Sequence, residues 1–145
     1  MQTKKRIISI VDDDEDTSRL FHMVLSEQFA VYDVFSFIDS VSALEHFTEN
    51  QNDYAIVITD LRIPGLNGLE LLKKIKNANP TVRTILISGI DIEDPMFRNG
   101  MELGLIDLTI GKPVTIQSLF NKIRNELQIY QLENPVEQST RKAIN

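Results

Sequence analysis

Residues Tyr54–Gly68 read YAIVITDLRIPGLNG. Tyr54–Thr59 is an apolar run, rich in β-branched residues and without polar alternation, which is the pattern of a strand buried on both faces. It ends on Asp60, and Pro64, Gly65, Asn67 and Gly68 follow closely. A carboxylate on a strand's last residue is either chemistry presented at the edge of a sheet or an unusual cap. The proline, glycine and asparagine form a turn that leads into a helix capped by Asn67. A strand covered on both faces needs helices on both sides of its sheet, so this segment sets the fold class as α/β.

The flanking sequence repeats the theme. Ile7–Val11 and Val82–Ile87 read as buried strands, Val31–Phe35 as a weaker one and Leu105–Ile110 as a fifth. Between them, Asp16 or Thr17 caps a helix running to about Glu27, with Leu20, Phe21, Val24 and Leu25 as its apolar stripe. Asp39 or Ser40 caps Val41–Thr48, with Val41, Leu44 and Phe47 inward. In Gly68–Asn77, Leu69, Leu72 and Ile75 share one face, and Lys73, Lys74 and Lys76 form the solvated one. Asp94-Pro95 opens a helix to about Leu103, and Thr115 caps a long last helix with Ile116, Leu119, Phe120, Ile123 and Leu127 on one side. The order is βαβαβαβαβα, a doubly wound five-stranded parallel sheet with helices on both faces. Residues 1–130 form one domain, and 131–145 lose periodicity and read as a polar, flexible C-terminal tail.

The bulk numbers narrow the function. A chain of 145 residues can bury one full core, and 42% hydrophobic with 25% charged residues is ordinary for a soluble protein. The net charge of −6 argues against a nucleic-acid or anionic-membrane surface. The absence of cysteine excludes a disulfide framework, a thiolate metal site and a cysteine nucleophile. The apolar part of the start, IISIV, meets DDDED too soon to be a signal peptide, and no run reaches membrane-spanning length. A cytoplasmic location is expected, and the Met1 start with a polar tail favours a stand-alone protein over a fragment.

In open parallel sheets, functional groups collect at the carboxyl ends of the strands. The first strand ends at Asp12-Asp13, the third at Asp60, the fourth at Ser88 and the fifth near Lys112. Three carboxylates in one crevice repel one another, and a hard divalent cation such as Mg²⁺ relieves that repulsion. A carboxylate can also be a nucleophile toward phosphorus, giving an acyl phosphate, while a metal, a lysine and a hydroxyl offset charge on the moving phosphoryl group. His22 and His46 lack ligand spacing or a partnering acid and read as ordinary boundary residues.

The residues VDDDED, ITDLRIPGLNG, ILISG and GKP resemble the four signatures of the response-regulator receiver domain of two-component phosphorelay signalling. The likeness covers about residues 6–130, and D-x-x-x-P-x-x-[DN]-G at Asp60–Gly68 is its most specific part. It implies the flavodoxin-like strand order 2-1-3-4-5. It also implies roles: Asp60 as phosphoacceptor, Asp12 and Asp13 as the acidic pair for Mg²⁺, the Arg62 backbone carbonyl as a further metal ligand, Ser88 as switch hydroxyl and Lys112 as the phosphoryl contact, with Lys112-Pro113 often cis. The implied partners are a histidine kinase or histidine phosphotransfer protein as donor and a downstream protein target, with homodimerisation through the fourth and fifth helices left open. Such a protein is not an enzyme in the ordinary sense; it promotes its own phosphorylation and dephosphorylation.

Two positions depart from the family pattern. Thr109 stands where many receivers carry an aromatic switch residue, and Ile90 cannot orient an attacking water, so a long-lived phosphoryl group is expected. Competing readings are a pseudo-receiver that binds partners without phosphorylation and, further off, a phosphate-ester hydrolase built on Asp14-x-Asp16-x-Ser18. An EF-hand loop from Asp12 fails, because Thr17 replaces its glycine and Met23 its final glutamate.

Overall fold

The alternation read from the sequence becomes a layered α/β domain in the computed structural model, which describes residues 4–89 and 95–135. The strands are β1 (Arg6–Val11), β2 (Tyr32–Phe37), β3 (Tyr54–Asp60), β4 (Arg83–Ser88) and β5 (Leu108–Gly111). The helices are α1 (Glu15–Gln28), α2 (Ser40–Asn50), α3 (Gly68–Ala78), α4 (Pro95–Glu102) and α5 (Ile116–Glu133), with a short 3₁₀ turn at Gln51–Asp53. All strand pairs are parallel, in the order β2-β1-β3-β4-β5.

Alternate residues of the central strands feed two cores, as the two-residue side-chain period requires. Ile8, Ile10, Ile56, Ile58, Ile85 and Ile87 pack with Phe21 and Leu25 of α1 and Leu119 and Ile123 of α5. Ile7, Val11, Val57 and Leu86 face the other way, toward Ala43 and Phe47 of α2, Leu71, Leu72 and Ile75 of α3 and Phe97 of α4. β3 is buried along its whole length, as its unbroken apolar run predicts.

Several local expectations are corrected. The cap of α1 is Asp14, not Asp16 or Thr17; its Oδ1 accepts from the Asp16 and Thr17 amides at 3.0 and 3.4 Å. Leu20 and Val41 are 42% and 54% exposed, because α1 and α2 turn Phe21 and Leu25, and Ala43 and Phe47, to the sheet instead. β2 runs to Phe37, two residues beyond the expected end. β5 starts at Leu108 rather than Leu105. The residues before it dock on Thr84, whose Oγ1 donates to the Leu105 carbonyl at 2.8 Å and whose amide donates to the Asp107 carboxylate at 2.9 Å.

Lys76 does not belong to the solvated face of α3. Its Nζ lies 2.7 Å from Asp107 Oδ2, with side-chain exposures of only 10% and 15%. Arg83 extends the cluster, 3.6 Å from Asp107 and 3.0 Å from Glu126 of α5. α5 continues to Glu133, past the 130/131 boundary read from the sequence, while the expected Asp94 cap, Ile90 and tail residues 136–145 lie outside the described residues. Among the described residues no helix is long and apolar enough to cross a membrane.

Candidate functional site

The parallel register brings four strand ends level. Val11 pairs with Thr59, Asp60 with Ile87, and Ser88 with Gly111. Asp12 and Asp13 therefore leave β1 beside the end of β3, and Lys112 leaves β5 beside Ser88. The Asp12 amide donates to the Phe37 carbonyl at 3.0 Å, and the Lys112 amide to the Ser88 carbonyl at 3.0 Å, which extends the ladder one step past each strand.

At this edge Asp12, Asp13 and Asp60 each offer a carboxylate oxygen, all within 4.8 Å of one another. Lys112 Nζ donates to Asp60 Oδ2 at 2.7 Å. The Asp60 side chain is 9% exposed and that of Lys112 is 46% exposed, so the acid is held at the pocket floor and the ammonium reaches it from the rim. Ser88 is buried at the end of β4. Arg62 is exposed two residues past Asp60. Thr109 sits half-buried on β5 opposite Leu86. The Lys112-Pro113 peptide is cis.

The backbone around Asp60 is tightly held. Thr59 Oγ1 donates to the Asp60 carbonyl at 2.9 Å, the Leu61 amide to the Ile87 carbonyl at 3.1 Å, and the Gly68 amide to the Leu61 carbonyl at 2.7 Å. A Cβ at Gly68 would stand 2.3 Å from the Asp60 carbonyl oxygen, so only glycine lets α3 begin against the strand end. Asn67 and Glu70 complete a capping box at 2.9 and 3.2 Å that sets the direction of that helix.

The electrostatics follow from the crowding. Removal from water raises the Asp12 pKa, and Asp60 and Asp13 add to the rise; the Asp14 amide, donating to Asp12 Oδ1 at 3.0 Å, and Lys112 work against it. The Lys112 pKa is raised, first by its hydrogen bond to Asp60 and then by the charges of all three acids, against desolvation. Lys112 offsets one of the three carboxylate charges, and the remaining two match a single divalent cation. Hard oxygen donors spaced this way suit the octahedral shell of Mg²⁺, whose bonds are about 2.0–2.1 Å long and which keeps several waters. The donor set therefore fits such an ion.

Sequence reading missed two further arrangements. His46 Nδ1 lies 2.6 Å from the hydroxyl of fully buried Tyr54, and its ring packs 4.2 Å from Phe35 and 5.4 Å from Phe37. Burial lowers the His46 pKa, with Glu49 opposing. Ser40, at the start of α2, reaches across to the loop after β3. Neither left a local signal, because the partners come from different elements.

The family described as response regulator receiver domain matches residues 8–124. The uncharacterized transcriptional regulatory protein YkoG of Bacillus subtilis is 29% identical over 126 residues, which is 86% of this chain and 52% of that protein. This chain thus spans about half the length of that relative. Sporulation initiation phosphotransferase F of the same organism is 28% identical over 122 residues, 84% of this chain and 94% of that one. Among solved structures, a response regulator receiver domain protein from Clostridium thermocellum superposes with a TM-score of 0.78 at 29% identity, covering 88% of this chain and 98% of the other.

Proposed function

This chain belongs to the response regulator receiver domain family, and from that premise we propose that it is a phosphoryl-accepting switch with Asp60 as acceptor. The observation that carries the reading is the Asp60 carboxylate, gripped by Lys112 at 2.7 Å in the pocket it shares with Asp12 and Asp13. Asp12, Asp13, Asp60 and the Arg62 carbonyl would hold Mg²⁺. When bound, the ion supplies charge neutralisation for the phosphoryl oxygens.

The chain's own residues do the rest. An Asp60 carboxylate oxygen forms the bond to phosphorus as the bond from phosphorus to the donor's imidazole nitrogen breaks, and the electron pair leaves with that nitrogen. Lys112 exchanges part of its contact with Asp60 for the incoming phosphoryl oxygens, and the Ser88 hydroxyl donates to one of them. The product adds roughly one to two negative charges and strong acceptors at the ends of β4 and β5. Ser88 and Lys112 follow that charge, and a two-state balance in the packing of α4 shifts with them.

The donor is a histidine kinase or histidine phosphotransfer protein, and the target is a protein that reads α4, β5 and α5. Similarity along 94% of sporulation initiation phosphotransferase F favours, as a second reading, a relay intermediate that passes the group to another histidine. The test is intact mass after incubation with acetyl phosphate and Mg²⁺. Wild type gains one phosphoryl group, Asp60→Asn gains none, and Lys112→Ala gains it at least tenfold more slowly. An unmodified wild type would replace this function with the pseudo-receiver reading.

A further inference from the structure

The loop from Leu61 to Asn67 carries the Arg62 carbonyl and must hold its shape at the mouth of the pocket. Its two ends are tied by backbone bonds, Leu61 to Ile87 and Gly68 to Leu61. Ile63 in its middle is buried in the core, and among the described residues the hydrogen bonds to that middle come from Ser40. The Ser40 amide donates to the Pro64 carbonyl at 3.1 Å, and the Ser40 hydroxyl donates to the same oxygen at 3.0 Å. Both lone pairs of that carbonyl are thus taken from a single side, which fixes its direction as well as its position.

Ser40 is fully buried and sits at the first position of α2, directly after the cap Asp39. Space for its hydroxyl exists because position 65 is glycine. A Cβ on Gly65 would lie 2.4 Å from Ser40 Oγ and 3.3 Å from Val41 Cγ2, and its φ of +89° is itself a glycine conformation. The serine and the glycine interlock: one supplies the bond, and the other supplies the room.

We propose that Ser40 is a positioning residue for the metal pocket, acting as a clasp from the start of α2 that holds the Pro64 carbonyl and so presets the loop bearing Arg62. The role rests on the phosphoacceptor reading given above. It does not touch the phosphoryl group or the ion. Its effect is on how much of the chain already has the loop in its binding shape before the ion arrives, and a loop that must be ordered on binding lowers affinity by the fraction preset. One hydrogen bond of ordinary net strength corresponds to a shift of about fivefold in such an equilibrium.

The experiment compares wild type, Ser40→Ala and Ser42→Ala. Ser42 is the matched control: its hydroxyl, on the same first turn, bonds Asp39 at 3.0 Å and not the loop. Calorimetric titration with Mg²⁺ alone gives the affinity. Amide hydrogen exchange of the metal-free proteins gives the opening of residues 61–66. Ser40→Ala is expected to bind Mg²⁺ more weakly, by up to about fivefold, with faster exchange across the loop. At saturating Mg²⁺ its phosphorylation rate by acetyl phosphate should approach that of wild type. Ser42→Ala should match wild type in affinity and loop exchange.

A purely structural role for Ser40 would lower the melting temperature while leaving Mg²⁺ affinity and loop exchange unchanged, and that result overturns the clasp. A wild type that binds Mg²⁺ but takes no phosphoryl group overturns the switch function and leaves the clasp to be judged by the titration alone. A wild type that binds no Mg²⁺ overturns both.

Discussion

Removing the Asp107 carboxylate should cost far more than a surface ion pair is worth. In Asp107→Ala, Lys76 loses the anion 2.7 Å from its Nζ, at a site where its side chain is only 10% exposed. Full burial of an orphaned charge costs about 3–5 kcal/mol. Lys76 keeps a little solvent and a 3.3 Å bond to the Pro80 carbonyl, so its share falls to about 2 kcal/mol. The Thr84 amide loses its 2.9 Å bond to the same carboxylate, which adds about 1 kcal/mol for a buried donor. The sum is about 3 kcal/mol, a large part of the roughly 5–15 kcal/mol that holds a domain together. Lys76→Met should cost only about 1 kcal/mol, since its stem is replaced and Asp107 keeps Thr84 and Arg83. The double variant should cost less than the two singles added, with a coupling of about 1–2 kcal/mol. The assay is urea unfolding followed by circular dichroism with constant m-values. Lys4–Asp53, at 2.8 Å but with Lys4 69% exposed, is the reference pair, and breaking it should change little. If Asp107→Ala cost no more than Asp53→Ala, the reasoning that burial sets the value of this cluster would fail.

Two further outcomes follow from the pocket and from the aromatic cluster beside β2. Without metal, Asp12→Asn should raise the urea midpoint at pH 7. The folded pKa of Asp12 lies above its unfolded value, so its contribution is present at low pH and lost as pH rises through the folded pKa. Saturating Mg²⁺ should reverse the order, stabilising wild type more than the variant, and the same midpoint with and without the ion in wild type would contradict this. For His46 the sign is opposite. Its folded pKa lies below the unfolded value of about 6.5, so its stabilisation is complete above that pH and is lost as pH falls toward the folded pKa. Wild type should therefore lose stability between pH 7.5 and 5.5 by more than His46→Gln does, and parallel curves would count against the burial of His46 as the cause.

The order of strands and helices, the parallel sheet and the residues at its carboxyl edge were all legible in the chain. Tyr54–Thr59 reports double-sided burial through its unbroken apolar run, and every buried strand must deliver its next residue to one edge of the sheet. That logic alone brought Asp12, Asp13, Asp60 and Lys112 to the same edge of the sheet, and the acids and lysine stand together there in the fold. The strand order came from the family resemblance and matches the sheet. Tertiary structure decided what the polar faces meet. Helical spacing put Lys76 beside Lys73 and Lys74, yet only the docking of the α4–β5 connection on Thr84 brings Asp107 to it. The same holds for Ser40 on Pro64 and for His46 on Tyr54. Periodicity measures which side of an element avoids water. It carries no record of which distant polar atom will arrive on the other side, because that depends on how whole elements pack.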